Sequence, residues 1–74
     1  PQTWIRYQLV QDQSRVTLEV HDALGRKITT LVNAKQSAGT YKVNFNASEL
    51  PSGLYFYRLN VDGRTENKKM LLIH

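Results

Sequence analysis

Hydrophobic and polar residues alternate along most of this chain, which is the pattern of half-buried antiparallel strands and leaves little room for a helix. The clearest alternation covers residues 15–21, where Val16, Leu18 and Val20 are the apolar positions. An earlier segment places Ile5, Leu9 and, between them, Tyr7 on one face. We therefore predict two strands here that either form a hairpin or face each other.

The middle of the chain is less regular. Residues 22–25 (Asp-Ala-Leu-Gly) have the composition of a type I turn. We expect a third strand over residues 26–32, in which the loss of strict alternation indicates a bulge or bend. Its predicted core anchors are Leu24, Ile28 and Leu31.

A polar stretch, residues 33–40, is predicted to be a loop in which Gly39 supplies a positive φ. A fourth strand over residues 41–45 follows. Its predicted inward side chains are Tyr41, Val43 and Phe45.

The last 25 residues combine strong turn and strand signals. Pro51-Ser52-Gly53 is a turn that starts a strand over residues 54–61, and Asp62-Gly63 is the best hairpin signal in the chain. The final strand is predicted over residues 65–73. Alternation does not decide which side of each of these two strands faces the core. In the last strand the inward residues are either Met70 and Leu72 or Leu71 and Ile73. In the strand before it they are either Tyr55, Tyr57, Leu59 and Val61 or Leu54 and Phe56.

Six to seven short strands separated by turns predict an all-β fold, a small antiparallel β-sandwich of immunoglobulin-like type. A barrel is the alternative. The segment Leu50-Pro51-x-Gly53-x-Tyr55 favours the sandwich, because it has the form of a tyrosine corner, in which the hydroxyl bonds to upstream backbone.

Length, composition and charge restrict the classes of protein to which this chain can belong. With 74 residues we expect one domain, residues 1–74, and the lack of an initiator methionine and of a signal peptide suggests that it is part of a larger exported protein. Ten Lys/Arg and six Asp/Glu give a net charge of +4, but the basic residues are scattered along the sequence. Scattered charge indicates a solvated surface, so we do not expect nucleic acid as a partner.

Catalytic constellations are not visible in the sequence. There is no cysteine, no Gly-x-Ser-x-Gly and no glycine-rich phosphate loop. Glu19 is a single carboxylate on the outer side of a strand, and His21 and His74 have no zinc-site spacing. We expect a protein that is not an enzyme, with no cofactor, metal or small-molecule substrate.

The C-terminal segment carries a family resemblance. Leu50-Pro51-Ser52-Gly53, the aromatic strand after it and Lys68-Lys69-Met70-Leu71-Leu72 resemble the C-terminal sorting domain of the bacterial type IX (Por) secretion system. The rest of the chain is similar to that family in the same order, from Thr3-Trp4-Ile5 through Leu24-Gly25-Arg26 to Gly39. Similar immunoglobulin-like domains occur in flagellar hook-capping proteins.

The resemblance implies a C-terminal secretion signal that directs a passenger protein, joined before Pro1, through the type IX outer-membrane translocon to cell-surface attachment. It implies translocon and sortase components as partners, passage through the periplasm, and a final location at the cell surface or outside the cell. Lys68 and Lys69 are then part of what is recognised, or else they only protect an apolar edge strand from aggregation. The residues predicted to form the sorting and fold motif are Gly25, Gly39, Leu50, Pro51, Gly53, Tyr55, Tyr57, Lys68, Lys69, Met70 and Leu72.

The alternative is a non-catalytic accessory module of a secreted hydrolase, acting as a spacer or a weak carbohydrate binder. A row of aromatic side chains exposed on one sheet face would favour carbohydrate binding. A terminal strand at a sheet edge would favour sorting.

Overall fold

The structure, a computed structural model, describes residues 2–73. It contains six strands: β1 (Gln2–Leu9), β2 (Ser14–Asp22), β3 (Lys27–Gln36), β4 (Gly39–Asn46), β5 (Gly53–Val61) and β6 (Arg64–Leu72). No described residue is helical, so this part of the chain contains no helix that could span a membrane. The predicted all-β fold is confirmed.

The strands form two antiparallel sheets. One has two strands, β1 and β4, and the other has four, in the order β3-β2-β5-β6. Two separate sheets make a sandwich, so the barrel alternative is wrong. The first two strands lie in different sheets and contribute to one core, which means that they face each other and do not form a hairpin.

The core lies between the sheets and is centred on β2. Val16, Leu18 and Val20 have no exposed surface. The predicted inward sets of the first and fourth strands are also confirmed, because Tyr41 and Val43 pack against a core that includes Ile5, Tyr7, Leu9 and Phe45.

The third strand differs from its prediction. It extends to Gln36 through half of the residues assigned to a polar loop, because β2 offers their backbone a hydrogen-bonding partner up to Ser14. Leu24 and Ile28 are 79% and 39% exposed and do not anchor the core, whereas Leu31 packs against it.

The bulge predicted in this strand is present, and there are two. Leu18 pairs with Val32 while Glu19 pairs with Thr30, which leaves Leu31 as an extra residue. A second shift leaves Ile28 without a partner in β2. Each extra residue reverses the inward and outward alternation, and this is why the apolar positions of β3 do not follow one face.

The C-terminal hairpin resolves both open choices. Asp62 and Gly63 have φ angles of 52° and 89°, as a two-residue type I′ turn requires. The resulting register pairs Tyr55 with Met70, and both are buried. The Tyr55 set and Met70 with Leu72 therefore face the core, while the other two sets lie on the outer side of the sheet.

The turn between β2 and β3 is built on one carboxylate. Asp22 Oδ1 accepts the backbone N–H of Leu24 and of Arg26 at 3.0 and 2.9 Å, and Arg26 Nε donates to Oδ2 at 2.7 Å. These bonds, the backbone N–H of Arg26 first, hold the pKa of Asp22 below the ordinary value of 3.8.

Replacing Asp22 with asparagine is expected to destabilise the protein in a pH-dependent way. Because the folded-state pKa is depressed, the carboxylate contributes stability above its unfolded pKa, and that contribution is lost as the pH falls through the folded pKa. Urea unfolding should show a gap between the wild type and Asp22→Asn at pH 7 that narrows below pH about 4. A gap of the same size at every pH would contradict this account of the turn.

Candidate functional site

Most of the predicted motif residues meet on the β5–β6 hairpin. Gly53 pairs with Leu72, Tyr55 with Met70 and Tyr57 with Lys68. Leu50 and Pro51 lie just before β5, and Leu50 packs against the core. Residues that are far apart in the motif are therefore neighbours across one ladder.

Two predicted residues lie elsewhere. Gly39 starts β4 with the positive φ predicted for it, 151°, and pairs with Leu9 at the opposite end of the sandwich. Gly25 belongs to the β2–β3 turn, where its carbonyl oxygen lies 3.3 Å from His21 Nδ1. The motif is thus one cluster on the C-terminal hairpin with two separate turn glycines.

The tyrosine corner predicted from the sequence is present. Tyr55 is buried, and its hydroxyl donates to the carbonyl oxygen of Pro51 at 2.8 Å. Gly53 between them has a φ of 155°, a conformation that L side chains rarely adopt. The hydrogen bond and the glycine together turn the chain into β5.

Replacing Tyr55 with phenylalanine is expected to cost about 1–2 kcal/mol of unfolding free energy, because it removes the bond that closes the corner. Tyr57→Phe is the matched control: Tyr57 is half-buried and its hydroxyl bonds to none of residues 2–73. Denaturant unfolding should separate the two variants. Equal stability of both would show that the corner contributes nothing.

The last strand lies at an edge of the four-stranded sheet, because β6 pairs only with β5. Lys68 and Lys69 are both exposed and, as consecutive strand residues, point to opposite faces. Only the end of the strand is anchored, through Met70 and Leu72. β6 thus presents a charged, open edge whose terminus is fixed in the core.

A groove beside β1, which we call the β1 groove, was not foreseen from the sequence. Two strands cover four, so the inner face of the β5–β6 hairpin extends beyond β1 and leaves a space of about 420 Å³. Arg64, Glu66 and Lys68 share the inward side with Met70 yet are exposed there. The groove is lined by Arg6 to Gln11, Ser14, Tyr57, Leu59, Val61, Asp62, Arg64, Glu66 and Lys68.

Tyr7 closes the inner wall of this groove. Its hydroxyl donates to Gln36 Oε1 at 2.6 Å, and its ring stacks on that of Tyr41 with centroids 5.2 Å apart. Burial raises the pKa of Tyr7, so the hydroxyl stays neutral at ordinary pH. The β1 groove thus combines a strand edge, an apolar floor and side chains of both charges.

The remaining polar groups form no metal site within residues 2–73. Glu19 lies on the outer side of β2 and has two partners: its Oε1 lies 3.1 Å from His21 Nε2 and its Oε2 lies 4.0 Å from Lys27 Nζ. No group of three potential metal ligands occurs in that range. His74 lies outside the described residues.

The fold defines a small antiparallel β-sandwich domain. Residues 2–73 match the family described as the secretion system C-terminal sorting domain, and the chain belongs to that family. It is therefore a non-catalytic sorting signal of type IX secretion, which acts in export across the outer membrane through the type IX machinery. Neither a curated protein nor a solved structure showed a significant match to the chain.

Proposed function

We propose that this domain directs a passenger, joined before Pro1, through the periplasm to the type IX outer-membrane translocon and then to attachment at the cell surface, with translocon and sortase components as its partners. The observation that carries the proposal is that a sorting-domain match spans residues 2–73 of a sandwich whose last strand is an edge. An edge strand offers unpaired backbone groups to a partner.

Strand addition along β6 is the proposed mode of recognition. The backbone of a partner would pair with the open edge, and outward side chains such as Lys69 and Leu71 would select the partner. Met70 and Leu72, buried in the core, would hold that edge in position. On this proposal the nine motif residues on or just before the C-terminal hairpin divide into those that build the edge and those that are recognised.

The test is a fusion of residues 1–74 to a fluorescent protein directed to the periplasm of a bacterium with a type IX system. Fluorescence at the surface or in the medium is expected for the wild type and should be lost when Met70 to His74 are deleted. A Gly53→Ala/Tyr55→Phe double variant should also lose export to the extent that it unfolds. Fluorescence retained in the periplasm with the wild-type domain would overturn the proposal.

Neighbouring leucines separate folding from recognition. Leu72 is 6% exposed and Leu71 is 68% exposed. Leu72→Asp should unfold the domain and abolish export, whereas Leu71→Asp should keep the circular dichroism spectrum of the wild type and still lower export. Normal export of the folded Leu71→Asp fusion would exclude this side chain from the recognised surface.

The accessory-module alternative gains little support. On the outer side of β5, Phe56 is aromatic and its neighbours on that side are not. Trp4 lies on the other sheet, in β1, where Lys42 Nζ is 4.4 Å from the centre of its ring. Tyr7 and Tyr41 stack toward the core. Residues 2–73 thus contain no exposed aromatic row of the kind that would favour carbohydrate binding.

A further inference from the structure

The strand register gathers on one surface the basic residues that are scattered in the sequence. The outer face of the four-stranded sheet carries Arg15 opposite Lys35 and Lys27 opposite His21, together with Arg58 on β5 and Lys69 on β6. Glu19 is its single carboxylate among the described residues, and it is half-buried beside His21 and Lys27. The five basic and five acidic residues elsewhere in the chain cancel, so this outer face holds the whole net charge of +4.

An apolar patch adjoins this charge at one end of the same face. Leu54 pairs with Leu71, and Phe56 pairs with Lys69 in the next row. Leu54, Leu71 and Ile73 are 40%, 68% and 74% exposed. We call Leu54, Phe56, Leu71 and Ile73 the apolar patch.

The neighbouring turn extends the exposed apolar surface. Asp22 pairs with Tyr55, so the β2–β3 turn lies at the same end of the sheet, and its Leu24 is 79% exposed. The acidic groups at this end are Asp22, which is bonded to Arg26, and Glu49, on the connection between β4 and β5. Apolar side chains with lysines beside them thus project from this end of the outer face.

We propose that the outer face of the four-stranded sheet docks on an anionic phospholipid bilayer. The lysines and arginines would contact headgroup phosphates while the apolar patch enters the boundary between headgroups and acyl chains. This combination of a cationic surface and exposed large apolar side chains is the composition of interfacial membrane binders.

The position of Lys69 also supports docking on a phospholipid bilayer. Lys69 stands on the outer side next to Phe56 and one row from Leu71, so its methylene chain can lie along the patch while its ammonium group reaches the phosphates. Each basic residue near an anionic membrane surface strengthens binding about fivefold. Three lysines removed from this face should therefore weaken binding on the order of a hundredfold.

The test is sedimentation of the 74-residue chain with vesicles of phosphatidylglycerol and phosphatidylcholine, and with vesicles of phosphatidylcholine alone. Binding is expected to the first and not to the second, and it should weaken as salt is raised. Lys27→Gln/Lys35→Gln/Lys69→Gln should reduce it on the order of a hundredfold. The matched control Arg6→Gln/Lys42→Gln/Lys68→Gln makes the same change in net charge away from the outer face and should reduce it less than about tenfold.

A second pair of variants tests the apolar patch. Leu71→Gln/Ile73→Gln should weaken vesicle binding and leave the circular dichroism spectrum unchanged, because both side chains are exposed. Equal losses in the two triple variants would overturn the proposal, since net charge alone would then explain binding. Absence of binding to phosphatidylglycerol vesicles would also overturn it and leave an acidic protein as the occupant. None of these outcomes depends on the export test.

Discussion

Leu18→Ala is expected to lower the unfolding free energy by about 2–5 kcal/mol. Leu18 has no exposed surface and lies at the centre of β2, between the two sheets. Removing one methine and two methyl carbons there leaves a cavity that the surrounding strands cannot fully close. For a domain of 74 residues such a loss is comparable with its whole stability.

The matched control is Leu71→Ala, which removes the same atoms from a side chain that is 68% exposed. It should change the unfolding free energy by less than about 0.5 kcal/mol. Urea unfolding followed by circular dichroism measures both. If the two variants lost similar stability, the assignment of Leu18 to the centre of the core would be wrong.

Gly53→Ala is expected to cost about 1–3 kcal/mol, through the backbone and not through packing. The φ of Gly53 is 155°, which disfavours any L residue, although an added Cβ would meet no atom within 4 Å. The start of β5 would have to turn to a negative φ, and the Tyr55 hydroxyl would then move away from the Pro51 carbonyl. Thermal unfolding should show the loss.

A chain of this length can be made by chemical synthesis, which provides a direct control. D-Alanine at position 53 favours positive φ and should keep most of the stability that L-alanine loses. Equal destabilisation by both enantiomers would contradict the backbone explanation and point to crowding at the corner.

The sequence alone was sufficient to predict the inward side chains of strands in which hydrophobic and polar residues alternate without interruption. The inward sets of β1, β2 and β4 and the Asp62-Gly63 turn follow directly from the order of residues. The inward side of β6 could also have been predicted. A two-residue turn at 62–63 pairs Tyr55 with Met70, so placing Tyr55 inward also places Met70 inward. The tyrosine corner, whose hydroxyl needs the buried side, was the signal that could have decided it.

Other features depend on pairing between distant segments and have no local signal. The two bulges in β3 depend on how it aligns with β2, and the second of them leaves the predicted anchor Ile28 unpaired. The predicted anchor Leu24 lies in the β2–β3 turn and projects into solvent. The cationic outer face likewise requires Arg15, Arg58 and Lys69 to come together from three strands. Charges that look scattered in sequence become one surface only through this register.

The unequal sheets also set an order for assembly. In the four-stranded sheet, β2 with β3 and β5 with β6 are hairpins that close over short turns, and only the β2–β5 ladder joins distant residues. In the two-stranded sheet every pair is distant, from Leu9 with Gly39 to Gln2 with Asn46. Closing a loop of that length is slow, and the resulting pairing is stabilised only when the apolar face of the four-stranded sheet is already there to pack against. The two-stranded sheet should therefore form last and open first, so that amide hydrogens of β1 exchange with solvent before those of β2 and β5.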